Sequence, residues 1–160
     1  MKLTNRRHKK DKYSNNWNTP KVLLQHILDN GYKDYNPEGS FISPFYVNTS
    51  DFKNDKVFIN PPFSILNKEE FLITIYHLWM NNNDILLLIP ARTDTRYFHE
   101  LLTYFPNITF IKGRLKFNDG KTSAPFPSIL LDIKSCSDRY YKNFYGTLDI
   151  KKLEQEKKSR

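Results

Sequence analysis

The feature that most limits the fold of this chain is a regular alternation of apolar runs and helical patterns between residues 56 and 134. The apolar runs have the length and continuity of strands buried within a sheet. They lie at 56–60, 84–90, 107–113 and 128–134. A helical pattern follows each of the first two runs, one over 67–80 and one from Asp94 onward. The order strand, helix, strand, helix, strand, strand predicts an α/β fold with a mainly parallel sheet.

Two further features complete the predicted fold. The last two strands are joined by a loop over 118–127, which is too short for a crossover, so the terminal strand is expected to be antiparallel. Ahead of the alternating region, residues 21–30 have the pattern of a helix that Thr19 caps and Pro20 opens. Short extended segments are expected near 32–36 and 44–48.

Positive charge is concentrated at the two ends of the chain. The net charge is +8, of which residues 1–12 carry +5 and residues 151–160 carry +3. Such ends favour a polyanionic partner, although lysine-rich tails also keep small proteins soluble. We therefore expect a basic, disordered tail at 1–12, one folded domain over 13–135, and a basic, partly helical extension at 136–160.

The composition excludes several classes of protein. Cys136 is the only cysteine among 160 residues, which excludes an internal disulfide and a cysteine-rich zinc site. The histidines lack the spacing of metal ligands, so no metal is expected. No apolar run approaches the ~18 residues of a membrane span, and the amino terminus lacks the apolar segment of a secretory signal. The chain is expected to be soluble and cytoplasmic.

The segment with the clearest chemical meaning is Asn60-Pro61-Pro62-Phe63, at the carboxyl end of the first buried strand. Ligands of open α/β sheets bind at that end; the alternative is that the two prolines merely terminate the strand. An asparagine carbonyl and the next backbone carbonyl can accept both hydrogens of a planar amino group, which directs its nitrogen toward a methyl donor. Two prolines hold these carbonyls rigidly, and Phe63 offers a face for stacking. The tetrapeptide indicates methylation of an amino group such as adenine N6, in a base flipped out of its duplex.

Longer stretches resemble one family, the phage-type DNA N6-adenine methyltransferases (Dam-like). They occur in the family's order and are W-N-T-P at 17–20, N-P at 36–37, V-F-I-N-P-P-F at 57–63, L-L-L-I-P-A-R-T-D-T-R-Y-F-H at 86–99, F-I-K-G-R-L-K-F at 110–117 and A-P-F-P-S-I-L-L at 124–131. The resemblance implies a shortened Rossmann-like methyltransferase fold over 13–135, S-adenosylmethionine as the methyl donor, and DNA as the partner. It also implies a phage or prophage gene whose product acts in the cytoplasm of a bacterial host.

The resemblance also assigns roles to individual residues. Asn60, Pro61, Pro62 and Phe63 match the catalytic loop. The residues matched to cofactor binding are Trp17, Thr19, Pro20, Asp34, Asn36, Asp51, Phe52 and Asn60. The family usually has an aspartate where this chain has Asn36, which accepts a hydrogen bond but carries no charge. Asp34 or Glu38 can supply the missing charge, and a local cap in a loop is the alternative role for Asp51.

Three residues are predicted to contact DNA. Phe117 resembles the second aromatic residue that sandwiches the flipped adenine, with plain core packing as the alternative. Arg92 and Arg114 follow strand ends, where they can face the phosphate backbone; a solvated surface position is the alternative for both.

These observations together predict a site-specific DNA methyltransferase that transfers a methyl group from S-adenosylmethionine to adenine N6. A short or relaxed target sequence is expected, because no separate recognition domain is present. Two alternatives remain open. One is a weak or inactive methyltransferase-like protein that only binds DNA, and the other is methylation of RNA or of a protein amide.

Overall fold

The computed structural model of the chain describes residues 18–35, 49–66, 69–105, 107–120, 123–135 and 145–159. Within them, helices and strands follow the order α1 (Lys21–Asp29), β1 (Lys33–Asp34), β2 (Lys56–Ile59), α2 (Glu69–Met80), β3 (Asp84–Pro90), α3 (Arg96–Tyr104), β4 (Asn107–Lys112), β5 (Ser128–Ile133), β6 (Tyr145–Asp149) and α4 (Ile150–Lys158). None of these described helices is both long and apolar enough to cross a membrane.

The strands form one sheet in the order β1-β2-β3-β5-β4-β6. Strands β1, β2 and β3 are mutually parallel, β4 is parallel to β6, and β5 is antiparallel to both β3 and β4. All strands except β5 therefore run in one direction. The end of the sheet at which they finish is called the carboxyl end here, and the opposite end the amino end. The predicted α/β fold with a mainly parallel sheet is confirmed, and the antiparallel strand lies inside the sheet rather than at its edge.

Helices cover both faces of the sheet. Helices α2 and α3 pack on one face, and α1 and α4 pack on the other. Alternate residues of β3 point to opposite sides: Leu87 lies in the core under α2 and α3, and Leu88 lies in the core under α1 and α4. Because both faces are covered, the central strands are continuous apolar runs, and this explains why the sequence reveals them so clearly.

Local details near two helix starts differ from the prediction. Pro20, not Thr19, is the N-cap residue of α1, and the structure shows no side-chain cap there. The hydroxyl oxygen of Thr19 instead accepts a hydrogen bond from Asn60. Helix α3 begins at Arg96 rather than Asp94, because the N–H and hydroxyl of Thr95 both donate to the Arg92 carbonyl and close a turn ahead of it.

The extended segment predicted near 32–36 corresponds to β1. The segment predicted near 44–48 and the basic tail at 1–12 lie outside the described residues.

The C-terminal extension supplies a strand as well as the expected helix. Strand β6 pairs with β4 at the edge of the sheet, and α4 packs against α1. Asp149 caps α4, since its carboxylate accepts hydrogen bonds from the backbone N–H groups of Lys151 (3.1 Å) and Lys152 (3.4 Å). The sequence Y-G-T-L-D of β6 carries no apolar run, because an edge strand is only half covered, and the sequence pattern therefore did not predict it.

A cluster of charged side chains lies at the amino end of the sheet, far from Asn60. Lys134 bridges two carboxylates, Asp132 at 3.3 Å and Asp84 at 3.5 Å. Burial raises the pKa of the Asp132 carboxyl above its ordinary value of 3.8, although the positive charge of Lys134 acts in the opposite direction. The folded state therefore favours the protonated form of Asp132 more than the unfolded chain does.

This shift predicts a pH dependence of stability. Between pH 3.8 and the raised pKa of Asp132, the folded protein holds more protons at this site than the unfolded chain does. The stabilisation from this site is therefore complete below that window and is lost as the pH rises through it. We expect Asp132→Asn to gain stability relative to the parent as the pH rises from about 4 to 7, measured by urea unfolding.

The matched control for this prediction is Asp149→Asn. A hydrogen bond from Lys112 lowers the pKa of Asp149 below 3.8, so the folded protein holds fewer protons at this site than the unfolded chain does, and Asp149→Asn should lose stability relative to the parent as the pH rises from about 4, the opposite trend. A stability difference between Asp132→Asn and the parent that stays constant with pH would contradict the prediction.

Candidate active site at the carboxyl end of the sheet

The carboxyl end of the sheet gathers most of the described residues that the sequence singled out. Asp34 ends β1, Asn60 follows β2, Arg92 follows β3, and Arg114 follows β4. Because these four strands run in the same direction, their ends face the same side of the molecule. Because the strands are parallel, these four residues, which are far apart in the sequence, lie at the same end of the sheet.

Asn60 is held at this surface by a residue from the start of α1. Its side-chain Nδ2 donates a 3.0 Å hydrogen bond to Oγ1 of Thr19. The carboxamide group is planar, and its oxygen and nitrogen are bonded to the same carbon. The hydrogen bond that orients Nδ2 therefore also orients Oδ1. Thr19 therefore sets the direction in which the Asn60 carbonyl points.

The prolines hold the backbone after Asn60. Pro61 is buried, and Pro62 has φ −56° and ψ 133°, after which a short 3-10 turn begins at Phe63. Neither proline has a backbone N–H, and each ring restricts φ, so the carbonyls at this strand end have few alternative orientations. The tetrapeptide is a constrained strand end, buried at Pro61 and half-buried at Asn60, Pro62 and Phe63.

Three phenylalanine rings meet next to the tetrapeptide. The Phe63 ring lies 5.1 Å from that of Phe126 and 6.3 Å from that of Phe117, both edge-to-face, and the Phe117 and Phe126 rings are 6.0 Å apart. Phe117 and Phe126 are 5% and 7% exposed, whereas Phe63 is half-buried. We call these residues the phenylalanine cluster; it leaves Phe63 as the member that reaches solvent.

This geometry bears on the role predicted for Phe117. A base stacked between two aromatic rings needs parallel faces with space between them, but Phe117 meets Phe63 edge-on at 80°. Phe117 also lies in a 3-10 turn beyond β4, not at the strand end itself. The structure favours the alternative of core packing, in which Phe117 supports the Phe63 ring, and the sandwich stays a prediction.

The turn that carries Phe117 is tied to the segment before α1. The N–H of Asn18 donates to Oδ1 of Asn118 (2.7 Å), and the N–H of Asn118 donates to the Asn18 carbonyl (2.9 Å). Asn118 has φ +59°, a left-handed conformation that asparagine tolerates better than most residues. Residues 18–20 thus contact both the Phe117 turn and Asn60, so the start of α1 links two strand ends that are distant in sequence.

The remaining predicted cofactor residues are placed differently. Asp34 is half-buried and pairs in register with Phe58, one strand away from Asn60. Trp17 and Asn36 lie outside the described residues. Their roles stay predictions.

The segment of Asp51 and Phe52 contacts residues at both ends of the sheet. The Phe52 carbonyl accepts a 3.0 Å hydrogen bond from Nδ2 of Asn83, which immediately precedes β3. The Phe52 ring packs on that of Tyr35, with centroids 5.3 Å apart, and burial raises the pKa of Tyr35 to about 12. Asp51 is exposed. The Phe52 ring therefore extends toward the carboxyl end of β1, and the cofactor roles of Asp51 and Phe52 stay predictions.

Sequence reasoning missed the residue that holds this segment. Asn83 is fully buried, and besides Phe52 its side chain donates to the Leu78 carbonyl (2.7 Å) and accepts from the N–H of Asp55 (2.9 Å). It lies in the run Asn81-Asn82-Asn83, which from sequence reads as an ordinary polar turn. The feature that could have indicated a structural role for Asn83 is the run of three asparagines between a helix and a buried strand.

The predicted DNA-contacting arginines are both exposed. Arg92 lies in the turn between β3 and α3, which the bond from the Ala91 N–H to the Pro127 carbonyl (2.9 Å) ties to the segment before β5. Arg114 follows Gly113, whose φ of +93° turns the chain sharply out of β4. Both residues follow strands that finish at the carboxyl end of the sheet, and their contacts with DNA stay predictions.

A mainly parallel sheet, covered by helices on both faces and carrying Asn-Pro-Pro-Phe at the carboxyl end of β2, is compatible with a methyltransferase-like α/β fold. The model of one family, described as DNA N-6-adenine-methyltransferase (Dam), matches residues 6–129. The chain therefore belongs to the DNA N-6-adenine-methyltransferase (Dam) family, and the resemblance found in the sequence is confirmed. This membership supports adenine methylation as the activity and DNA as the substrate. No curated protein and no solved structure matches the chain.

Proposed function

We propose that this protein transfers a methyl group from S-adenosylmethionine to N6 of an adenine that is flipped out of DNA into the site at Asn60. The observation that carries the proposal is the arrangement of Asn60: it follows a buried parallel strand, is oriented by Thr19, and continues into two prolines and Phe63. Family membership supports the same activity.

The chemical problem is the weak nucleophilicity of the adenine amino group, whose lone pair is delocalised into the ring. Oδ1 of Asn60 and the backbone carbonyl of Pro61 accept the two N6 hydrogens, which favours a pyramidal nitrogen with its lone pair directed away from the ring. Acceptors that are already oriented need no reorganisation during the reaction, and this is the main source of their effect. No side chain has to act as a strong base, since N6 becomes acidic once it is alkylated.

Phe63 holds the base in this scheme. It is the half-buried member of the phenylalanine cluster, so its ring can present a face to the adenine while Phe117 and Phe126 support it from behind. Base-aromatic stacking contributes about 1–3 kcal/mol per base. That gain offsets part of the few kcal/mol needed to unpair and unstack the target.

The residues around Asn60 fit S-adenosylmethionine, which supplies an electrophilic methyl group when it is bound. The Asp34 carboxylate provides negative charge for the ammonium group of an amino acid, in place of the aspartate that Asn36 replaces. The Thr19 hydroxyl accepts from Asn60 and still has its own proton to donate. Trp17 and Pro20 complete the proposed contact, and Asp51 and Phe52 are proposed to bind the adenosine end.

The positive side chains position the DNA. Arg92 and Arg114 are proposed to contact phosphates on either side of the flipped nucleotide, which fixes register without reading sequence. A short or relaxed target sequence is the consequence, and affinity should fall steeply as salt increases.

The direct test is incubation of the purified protein with radiolabelled S-adenosylmethionine and adenine-containing duplex DNA. Label at adenine N6 that requires Asn60 supports the proposal. Label in RNA or protein, but none in DNA, would favour the other acceptors. Heat of S-adenosylmethionine binding by calorimetry without any transfer would favour an inactive DNA-binding protein.

The hydrogen bond between Thr19 and Asn60 leads us to predict that Thr19 affects the rate of methyl transfer. Thr19→Val keeps the shape but removes the acceptor, and one oriented hydrogen bond of ~1–1.5 kcal/mol corresponds to roughly a tenfold loss of rate. We expect kcat to fall by about that factor at saturating S-adenosylmethionine, and Thr19→Ser to restore most of it. Thr103→Val, which removes an exposed hydroxyl on α3, is the control.

This measurement separates two roles for Thr19. If the residue serves only to bind the cofactor, Thr19→Val raises the Kd for S-adenosylmethionine and leaves kcat at saturation unchanged. That outcome would contradict a positioning role for Thr19.

A further inference from the structure

The C-terminal extension brings positive charge to the carboxyl end of the sheet. In the register of β4 and β6, Lys112 pairs with Asp149, so the two segments that follow leave the sheet side by side. Arg114 and Lys116 follow β4, and Lys151 and Lys152 open α4; these four side chains are all exposed. We call the four of them the α4 basic surface.

The α4 basic surface is attached firmly to the candidate active site. Ile150, the first residue of α4, is 7% exposed and belongs to the same buried cluster as Phe117 and Phe126. Nζ of Lys112 lies 3.2 Å from a carboxylate oxygen of Asp149, the residue that caps α4. The start of α4 is therefore held by packing, by an ion pair and by a cap.

The charges of this surface are not neutralised by acidic neighbours. Within the part of the chain that the structure describes, no carboxylate forms an ion pair with any of its four side chains. Other basic residues differ: Arg96 pairs with Glu100 and Lys33 pairs with Asp55, each at 2.6 Å. Four adjacent, uncompensated cations on one rigid surface fit a polyanion.

We propose that the α4 basic surface binds the phosphate backbone of duplex DNA next to the flipped adenine, independently of base sequence. Four strand spacings separate β2 from β6, or roughly 19 Å. At about 3.4 Å for each base step along a strand, this span equals five to six base pairs. Contacts at both ends of that span would hold the duplex against the site while one base is extruded.

Two residues of the α4 basic surface, Arg114 and Lys116, lie within the family match, and Lys151 and Lys152 lie beyond it. The family match ends at residue 129, whereas β6 and α4 begin at Tyr145 and Ile150. The inference rests on the proposed function only in taking DNA as the substrate, and its test does not require methyl transfer.

The test compares two double variants of the full chain that each remove two positive charges from α4. Lys151→Ala with Lys152→Ala alters the start of the helix, at the carboxyl end of the sheet. Lys157→Ala with Lys158→Ala alters its other end, where Lys157 shares a crevice with Asn30, whose carbonyl accepts from Lys56 at the start of β2. The second pair therefore lies toward the amino end of the sheet and is the matched control.

Binding is measured with a duplex made only of G·C base pairs, at salt concentrations from 50 to 200 mM. Loss of two phosphate contacts should reduce the slope of log K against log salt by about 1.8. The first variant should therefore bind much more weakly than the parent at 50 mM salt, with the gap shrinking about tenfold by 200 mM. The control pair should match the parent within about twofold.

Several results would overturn the proposal. Equal losses in the two double variants would mean that only net charge matters, and an unchanged salt slope for the first would mean that its lysines contact no phosphates. A loss confined to duplex RNA would assign the surface to a different nucleic acid. Because G·C duplexes contain no adenine, a positive result would stand even if methyl transfer to adenine were never detected.

Discussion

We expect Asn60→Ala to reduce kcat for methyl transfer by about 100- to 1000-fold, the usual effect of removing one oriented group that acts on the transition state. Alanine retains the backbone and the two prolines but removes the oxygen that accepts an N6 hydrogen. The hydrogen bond to Thr19 is lost as well, yet no core side chain is truncated, because Asn60 is only half-buried. The loss should therefore appear in catalysis rather than in folding.

Three measurements distinguish an effect on catalysis from effects on DNA binding and on folding. Single-turnover transfer of label to DNA gives the catalytic effect, binding to a G·C duplex shows whether DNA affinity is retained, and thermal unfolding shows whether the fold is intact. Gln25→Ala is the control, since it removes an exposed carboxamide on α1 that bonds only locally to Asp29. Transfer by Asn60→Ala within a few-fold of the parent would contradict the assigned role.

The second large effect concerns stability. Asn83 satisfies three backbone groups, namely the carbonyls of Phe52 and Leu78 and the N–H of Asp55. Asn83→Leu preserves the approximate volume but leaves these groups without that partner in a buried place, at about 1–3 kcal/mol for each group that water cannot reach. We expect the free energy of unfolding to fall by about 3 kcal/mol and Tm to fall by about 10 °C.

The neighbouring asparagine provides the control for this substitution. Asn82 has φ +62°, and its side chain bonds to Asn54 in an exposed place. Asn82→Gly suits that backbone conformation, so we expect a change below about 1 kcal/mol, measured by urea unfolding alongside Asn83→Leu. A comparable loss in both variants would show that the turn conformation, rather than the bonds of Asn83, provides the stability.

Much of the fold was predictable because the responsible patterns are local. A strand covered on both faces must be apolar along its length, and β3 therefore stands out in the sequence as an unbroken run. The position of Asn60 at the carboxyl end of the sheet was predictable as well, since prolines end the strand and parallel strands finish on the same side. The place of Phe117 was not, because whether an aromatic ring stacks on a ligand or on other rings depends on its neighbours in space.

The amino-acid sequence is sufficient to identify the family, the α/β class and the chemistry available at Asn60, because each depends on short contiguous stretches of residues. The packing of the folded chain determines that Thr19 orients Asn60, that Asn83 holds the loop before β2, and that β6 places the start of α4 at the candidate active site. Thr19 and Asn60 are 41 positions apart in the chain. Asn83 is 28 positions from Asp55 and 31 from Phe52, and the paired residues of β4 and β6 are about 40 positions apart. No local pattern specifies which partner such a side chain meets; the packing of both faces of the sheet does.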